Sequence, residues 1–183
     1  MLDCARERDD DDTHKTHVCW VCVQPAMGVE FQVVPGKGPQ IAEPIRSLAD
    51  VERLAPISHA EKQLPFVKTI LSSIRGEIDD DTTLLGFIGT PWTLCAYSVE
   101  GAAEKNCMAT KTLMFSNPEV VKGVLEHYTQ AITEYACYQI ESGAQVCRNM
   151  CIANVCCPPS EALAELLLFG SECVLVKADD SAV

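Results

Sequence analysis

Over residues 84–101 the hydrophobic pattern changes period, and that change predicts the order of elements. Leu84-Leu85-Gly86-Phe87-Ile88-Gly89 is a short, unbroken apolar run, as expected of a buried strand. Thr90 offers a hydroxyl to the free N–H groups of a helix start. Pro91 suits the first helical position, where its missing N–H has no partner to lose. Gly101 is placed to close that helix in a left-handed turn. A strand, a tight turn and a helix beginning at the strand's C-terminal end form the unit on which α/β folds carry their chemistry.

The flanking patterns extend this reading. Val18 to Val23 is apolar enough for a strand. Val29-Glu30-Phe31-Gln32-Val33-Val34 is β-branched and partly alternating, which predicts another. Pro35-Gly36-Lys37-Gly38-Pro39 is a turn cluster, and Gln40 to Ile45 returns as the second strand of a hairpin. These glycines lack the Gly-Lys-Ser/Thr and the following helix of a phosphate loop. Ser47 caps a short helix to Leu54, with Asp50 at its third position and Pro56 ending it. A helix follows Pro65, with Phe66, Val67, Ile70, Leu71 and Ile74 on one face. Gly76 and Asp79-Asp80-Asp81 lead into the strand near Thr83. The three aspartates lack the alternating spacing of a calcium loop and read as a solvated turn.

Downstream, Leu113-Met114-Phe115 reads as an apolar turn. Asn117-Pro118-Glu119 is a helix start: cap, proline, then an acid favourable to the dipole. Val120, Val121, Val124, Leu125, Tyr128, Ile132, Tyr135, Ala136 and Ile140 carry one apolar stripe to Ser142, and Gly143 ends the helix. Residues 153–183 predict an improvised αβ unit, with a helix from Ser160 to Phe169, Gly170 at its end, and a strand Cys173-Val174-Leu175-Val176.

Composition narrows the class. The chain has 183 residues, 48% hydrophobic and 22% charged, which suits a globular domain with a real core. No run of roughly 18 apolar residues occurs, so no membrane span is expected. The net charge of −12 with no basic stripe argues against nucleic acid. No basic, then apolar, secretory leader is visible at the N-terminus. Asp9 to Asp12 repel one another and read as solvated and disordered. The eleven cysteines are odd in number and irregular in spacing, so they are expected to be reduced rather than a disulfide framework. Two groups of residues carry metal-ligand types. His14, His17, Cys19 and Cys22 sit too close together to wrap an ion and read as an accidental cluster. Cys147, Cys151, Cys156 and Cys157 have no histidine or separated second pair. No metal site is therefore expected.

One string carries a resemblance. Gly86-Phe87-Ile88-Gly89-Thr90-Pro91-Trp92-Thr93, followed by Tyr97-Ser98-Val99-Glu100-Gly101, resembles the G-F-I/V-G-A/S/T-P-W-T and Y-x-V/I-E-G motif of the uroporphyrinogen decarboxylase family. Pro25-Ala26-Met27-Gly28 with the glycine-rich turn, and Ser142-Gly143-Ala144-Gln145 after the long helix, resemble further family segments. The resemblance implies an α/β fold of (β/α)₈ TIM type. Such barrels need about 250 residues, so this chain is expected to be an incomplete barrel of roughly three βα units, truncated at both ends. Residues 25–146 would be the barrel part, residues 1–24 a divergent and disordered N-terminal segment, and residues 147–183 a divergent C-terminal one.

The resemblance also implies a function. The family decarboxylates the four acetate side chains of uroporphyrinogen III to give coproporphyrinogen III, in haem and chlorophyll synthesis. It uses no metal or organic cofactor; the full-length family forms a homodimer and works in chloroplasts or in the cytoplasm. Tyr97 matches the tyrosine whose hydroxyl lines the substrate cleft. Trp92 is expected to pack against the barrel, and Glu100 to anchor the helix end or bond a backbone group.

Other family motifs are not found in the sequence. These are the R-Q-A-G-R arginines, the F-S-D-I aspartate expected just before Pro25, and the distal histidine. Ile152 stands where the family has the serine of its I/L-F-D/E-S motif. Arg46, Arg53 and Arg75 fall in helical or loop contexts and do not replace the clamp. The chain is thus expected to be a carboxy-lyase by family that is inactive alone. Two rivals are a non-catalytic interaction protein and a corrinoid-dependent methyltransferase-like protein, a group that shares the barrel and holds zinc with His and Cys.

Overall fold

A computed structural model describes residues 22–35, 38–79, 81–102, 104–150 and 175–176. The run Asp9–Asp12, His14, His17, Cys19, Cys151, Cys156, Cys157 and the helix expected over 160–169 lie outside the described residues.

The elements in chain order are α1 (Val23–Ala26), the hairpin β1 (Phe31–Val34) and β2 (Gly38–Ile41), α2 (Leu48–Glu52), α3 (Ala60–Gln63), α4 (Pro65–Glu77), β3 (Leu85–Gly89), α5 (Pro91–Glu100), α6 (Met108–Ser116), α7 (Pro118–Glu141), β4 (Val146–Met150) and β5 (Leu175–Val176). β3 and β4 pair in parallel, with Leu85 opposite Val146 and Gly89 opposite Met150. β5 runs antiparallel to β4, and β1 with β2 forms a separate two-stranded sheet. The parallel pair forces a crossover, and α5, α6 and α7 supply it.

Helix α7 organises the core. Its 24 residues make a rod about 36 Å long, so it reaches α1 through α6 as well as the sheet. The predicted stripe is buried from Val120 to Ala136, with Ile140 packed at its edge. Gly123 lets α2 approach closely, since a Cβ there would meet Val51 Cγ1 at 3.0 Å.

The strand–cap–helix unit forms as predicted. The Thr90 hydroxyl accepts from Thr93 N–H at 3.0 Å, Pro91 opens α5, and Gly101 closes it at φ 82°. Ser47 and Asp50 form a reciprocal capping box on α2.

Elsewhere the structure corrects the pattern. Cys22 and Val23 are helical, not stranded, because Val23 and Met27 both bury on one face of a helical turn. β2 stops at Ile41 rather than Ile45, because Ile41 N–H and Ile45 N–H are drawn to carbonyls at the end of α5. α4 begins at Pro65 and runs through Gly76, and its Phe66 is 41% exposed rather than packed. The strand starts at Leu85, after the Leu84 N–H turns to the Gln145 side chain at 3.0 Å. Leu113–Phe115 is the last part of α6, not a turn; Met114 buries and Phe115 stays exposed. Asn117 sits at the start of α7 but makes no side-chain cap bond. Asp79 and Asp81 are exposed, as a solvated turn requires.

Candidate functional site

The site is built at the C-terminal end of β3. The helical period places Thr93 and Tyr97 one above the other on α5, with Glu100 one turn beyond Tyr97. Thr90 and Thr93 are buried and bonded to each other through their hydroxyls at 2.9 Å. Tyr97 is half-buried and packs at the margin of the core. Its phenol pKa is raised by burial, and secondarily by the Cys107 thiol within electrostatic reach. The phenol is therefore a neutral hydrogen-bond donor at physiological pH. Trp92 is 1% exposed and packs inside, as the sequence implied; its Nε1 has no hydrogen-bond partner among the described residues.

Three features fix α5. First, its C-terminal carbonyls would be orphans, but the end of the hairpin and the segment that follows it take them up. Ile45 N–H donates to Ser98 O at 2.9 Å, the Arg46 guanidinium donates to Val99 O, and Ile41 N–H donates to Gly101 O at 2.7 Å. Arg46 also places a cation where the helix dipole favours one. Second, Ser98 joins a buried network. Gln24 Nε2 donates to Ser98 Oγ at 2.9 Å and to Leu94 O at 3.3 Å, and Ser98 Oγ lies 2.5 Å from the Tyr128 hydroxyl. Burial pushes the Tyr128 phenol well above its ordinary pKa, and its bonds to Ser98 and Gln24 only partly offset that. Third, Glu100 Oε1 accepts from Thr110 N–H at 2.7 Å and from Thr110 Oγ1 at 2.8 Å, so it bonds a backbone group at the start of α6.

The other named arginines are engaged structurally. Arg53 pairs with Asp50, with Glu43 at 4.0 Å. Arg75 donates to Asp79 O at 2.6 Å, Thr82 O at 2.9 Å and Gln145 Oε1 at 3.0 Å, holding the loop that leads into β3. A cleft of about 290 Å³ lies between the hairpin and α2, lined by Gly28, Glu30, Glu43, Asp50 and Arg53 among others. Tyr97 does not line it, and its acids are ill-suited to an anionic ligand, so we do not identify this cleft with the site around Tyr97. No cluster of three or more His, Cys, Asp or Glu side chains is placed to hold a metal among the described residues. No described helix is long and apolar enough to cross a membrane.

Sequence reasoning missed Gln24, Thr110 and Gln139. Gln139 left a signal, as a polar residue within the buried stripe of α7. Thr110 left none, because its partner is ten residues away on another helix.

The family model described as uroporphyrinogen decarboxylase (URO-D) matches residues 7–153, a wider span than the motifs themselves. Uroporphyrinogen decarboxylases of Picosynechococcus sp. and Synechococcus sp. are 48% and 44% identical over 122 residues, which is 67% of this chain. Those 122 residues are 35% and 34% of the two relatives, so the chain spans about a third of the length of the curated relatives it matches. Among solved structures, a methyltransferase from Methanosarcina mazei superposes with a TM-score of 0.58, covering 74% of this chain and 40% of that one. At 19% identity this likeness speaks for the α/β fold alone. Together with the motif on β3 and α5, these matches show that the chain belongs to the uroporphyrinogen decarboxylase family.

Proposed function

We propose that this chain supplies one wall of a uroporphyrinogen decarboxylase cleft, with the Tyr97 hydroxyl facing the tetrapyrrole. The observation that carries this reading is the placement of Tyr97. It is half-buried on the helix that starts at the C-terminal end of β3, and its phenol is held in the protonated form. The reaction is the loss of carbon dioxide from the four acetate side chains of uroporphyrinogen III. Protonation of a pyrrole carbon makes the ring an electron sink. The bond to the carboxylate carbon breaks as carbon dioxide leaves, its electron pair enters the ring to give an exocyclic methylene, a proton turns that methylene into the methyl group, and the proton first added to the pyrrole carbon is then released. A neutral phenol beside that anionic macrocycle donates a hydrogen bond without adding repulsion.

The finer architecture belongs to the same proposal. Residues 25–146 belong to part of a (β/α)₈ barrel, in which β3, its crossover helices and the parallel strand β4 make one βα unit beside the separate hairpin of β1 and β2, and segments 1–24 and 147–183 lie on either side. The arginine and aspartate motifs of the family are not found in the sequence, so the 183-residue chain is inactive by itself. The compartment proposed is the chloroplast, with the cytoplasm as the alternative. An anaerobic assay of the purified chain on uroporphyrinogen III tests the activity; the expected result is weak binding with no turnover, and coproporphyrinogen above background would overturn it.

A second reading has its own observation. β3 is the outer strand of its sheet among the described residues, and Leu85 on it is 43% exposed. Gln139 bonds the middle of this strand at Phe87, but its exposed end at Leu85 offers a place for another chain to pair, which favours a non-catalytic role as an interaction partner. Co-sedimentation with a full-length decarboxylase supports this reading, and a monomer in that mixture rejects it.

A further inference from the structure

Helix α6 begins under strain. Its first flanking residue, Cys107, is left-handed at φ 48° and ψ 47°, and its side chain makes no cap bond. A non-glycine residue persists there only when its surroundings over-determine it. Glu100 supplies much of that constraint. Its Oε1 accepts both the N–H and the hydroxyl of buried Thr110, the third residue of α6. The carboxylate stands at the C-terminal end of its own helix, where the dipole opposes it, and at the N-terminus of α6, where the dipole favours it. Its position therefore serves α6.

The same contact reaches Tyr97. Tyr97 and Glu100 share a face of α5 one turn apart. Cys107 is buried within electrostatic reach of the Tyr97 phenol and of Glu100. Holding the first turn of α6 against the end of α5 thus keeps Cys107 near the face of α5 that carries Tyr97. We propose that Glu100 is a positioning residue for Tyr97: its double bond to Thr110 latches α6 to α5 and so fixes the direction in which the Tyr97 hydroxyl is presented to the tetrapyrrole. This rests on the reading of Tyr97 as the substrate-facing group.

The test uses the 183-residue chain with Glu100→Ala, Glu100→Gln, Thr110→Val and Tyr97→Phe. Glu100→Gln keeps the accepting oxygen but removes the charge, so it separates the latch from electrostatics. Binding of uroporphyrinogen III, kept reduced under argon, is expected to weaken about tenfold in Glu100→Ala, as expected for one lost hydrogen bond to substrate, and by a similar factor in Tyr97→Phe. The double variant should bind no worse than either single one. Glu100→Gln should retain binding, and Thr110→Val, which keeps the backbone bond, should fall between. Additive losses, a Glu100→Gln variant as weak as Glu100→Ala, or unchanged binding with only a lower Tm would each overturn the proposal.

A second readout needs no ligand. The ultraviolet titration of Tyr97, isolated by difference against Tyr97→Phe, should move toward the ordinary tyrosine pKa in Glu100→Ala and stay in place in Glu100→Gln. Failure of the wild-type chain to bind tetrapyrrole would reject the reading of Tyr97, not the latch. An unmoved titration in Glu100→Ala rejects the latch itself.

Discussion

The carboxamide of Gln139 closes on both backbone polar groups of Phe87: its Oε1 accepts from Phe87 N–H at 3.0 Å and its Nε2 donates to Phe87 O at 3.0 Å. A fully buried side chain on α7 thus bonds the middle of β3 as a neighbouring backbone would. The fit allows nothing larger than hydrogen at Gly86, where a Cβ would lie 2.5 Å from Gln139 Oε1 and 2.9 Å from Cys147 Sγ.

This relationship makes Gln139→Leu costly. It leaves two strand groups unpaired where water cannot easily replace the amide, so a loss of about 3 kcal/mol is expected. Gly86→Ala should also destabilise, by about 1–3 kcal/mol, through the forced displacement of Gln139. Because both act on one contact, the double variant Gly86→Ala/Gln139→Ala should lose less than the sum of its singles in urea denaturation. Strict additivity would show that the contact is not shared.

Cys147 makes the fold sensitive to alkali. Burial first, then the neighbouring Cys137 thiol, push its pKa from 9.0 to about 11. The folded state therefore holds the proton more tightly than the unfolded chain. The resulting stability is complete below pH 9 and is lost as pH rises from 9 to 11, on the order of 2 kcal/mol. Cys95, whose ordinary value is also 9.0, is raised mainly by burial and acts in the same direction from pH 9 upward, and Tyr128 does so from its ordinary value of 10.0 upward. Urea midpoints should thus fall between pH 8 and pH 10.5, and less steeply in Cys147→Ala than in the native chain. Equal slopes in the two proteins would remove Cys147 from this account.

Thr90 caps α5 from a fully buried position. Thr90→Ala should cost about 1–2 kcal/mol, since the cap bond to the Thr93 N–H and the bond between the two hydroxyls are both lost. Thr90→Ser keeps the oxygen and should recover most of that loss. Thermal unfolding followed by circular dichroism compares the two, and a serine variant as weak as the alanine one would assign the loss to the missing methyl group instead.

Gly101 is required twice over. Its φ of 82° disfavours any side chain, and a Cβ would approach Pro44 Cγ to 2.8 Å. Gly101→Ala should destabilise by about 1–3 kcal/mol. Adding Pro44→Ala should return only the steric part, because the backbone strain remains. Full recovery in the double variant would mean that the left-handed turn costs nothing here.

Local signals carried much of the fold. Capping and helical period act within one turn, so Thr90, Pro91 and Gly101 marked the bounds of α5, and Ser47 with Asp50 marked the start of α2. The same stretch holds the motif that resembles the family, because its residues are contiguous. Weak local patterns misled where tertiary contacts outweighed them. Phe66 fits the stripe of α4 yet is exposed, because it lies on the flank of a face centred on Val67 and Leu71, both fully buried. Leu113–Phe115 looked like a turn, but Met114 buries against the core and the segment stays helical.

Local pattern alone establishes that β3 and α5 form one strand–cap–helix unit, that Tyr97 stands on that helix, and which family the string resembles. What holds Tyr97 in place comes instead from contacts between segments far apart in the chain. Gln139 meets Phe87 across 52 residues, Arg46 meets Val99 across 53, and Gln145 meets Leu84 across 61. Glu100 meets Thr110 across a change of helix direction. Such partners carry no fixed spacing, because a hydrogen bond between distant segments depends on where packing of the apolar faces returns the chain, and that is set by the whole core at once.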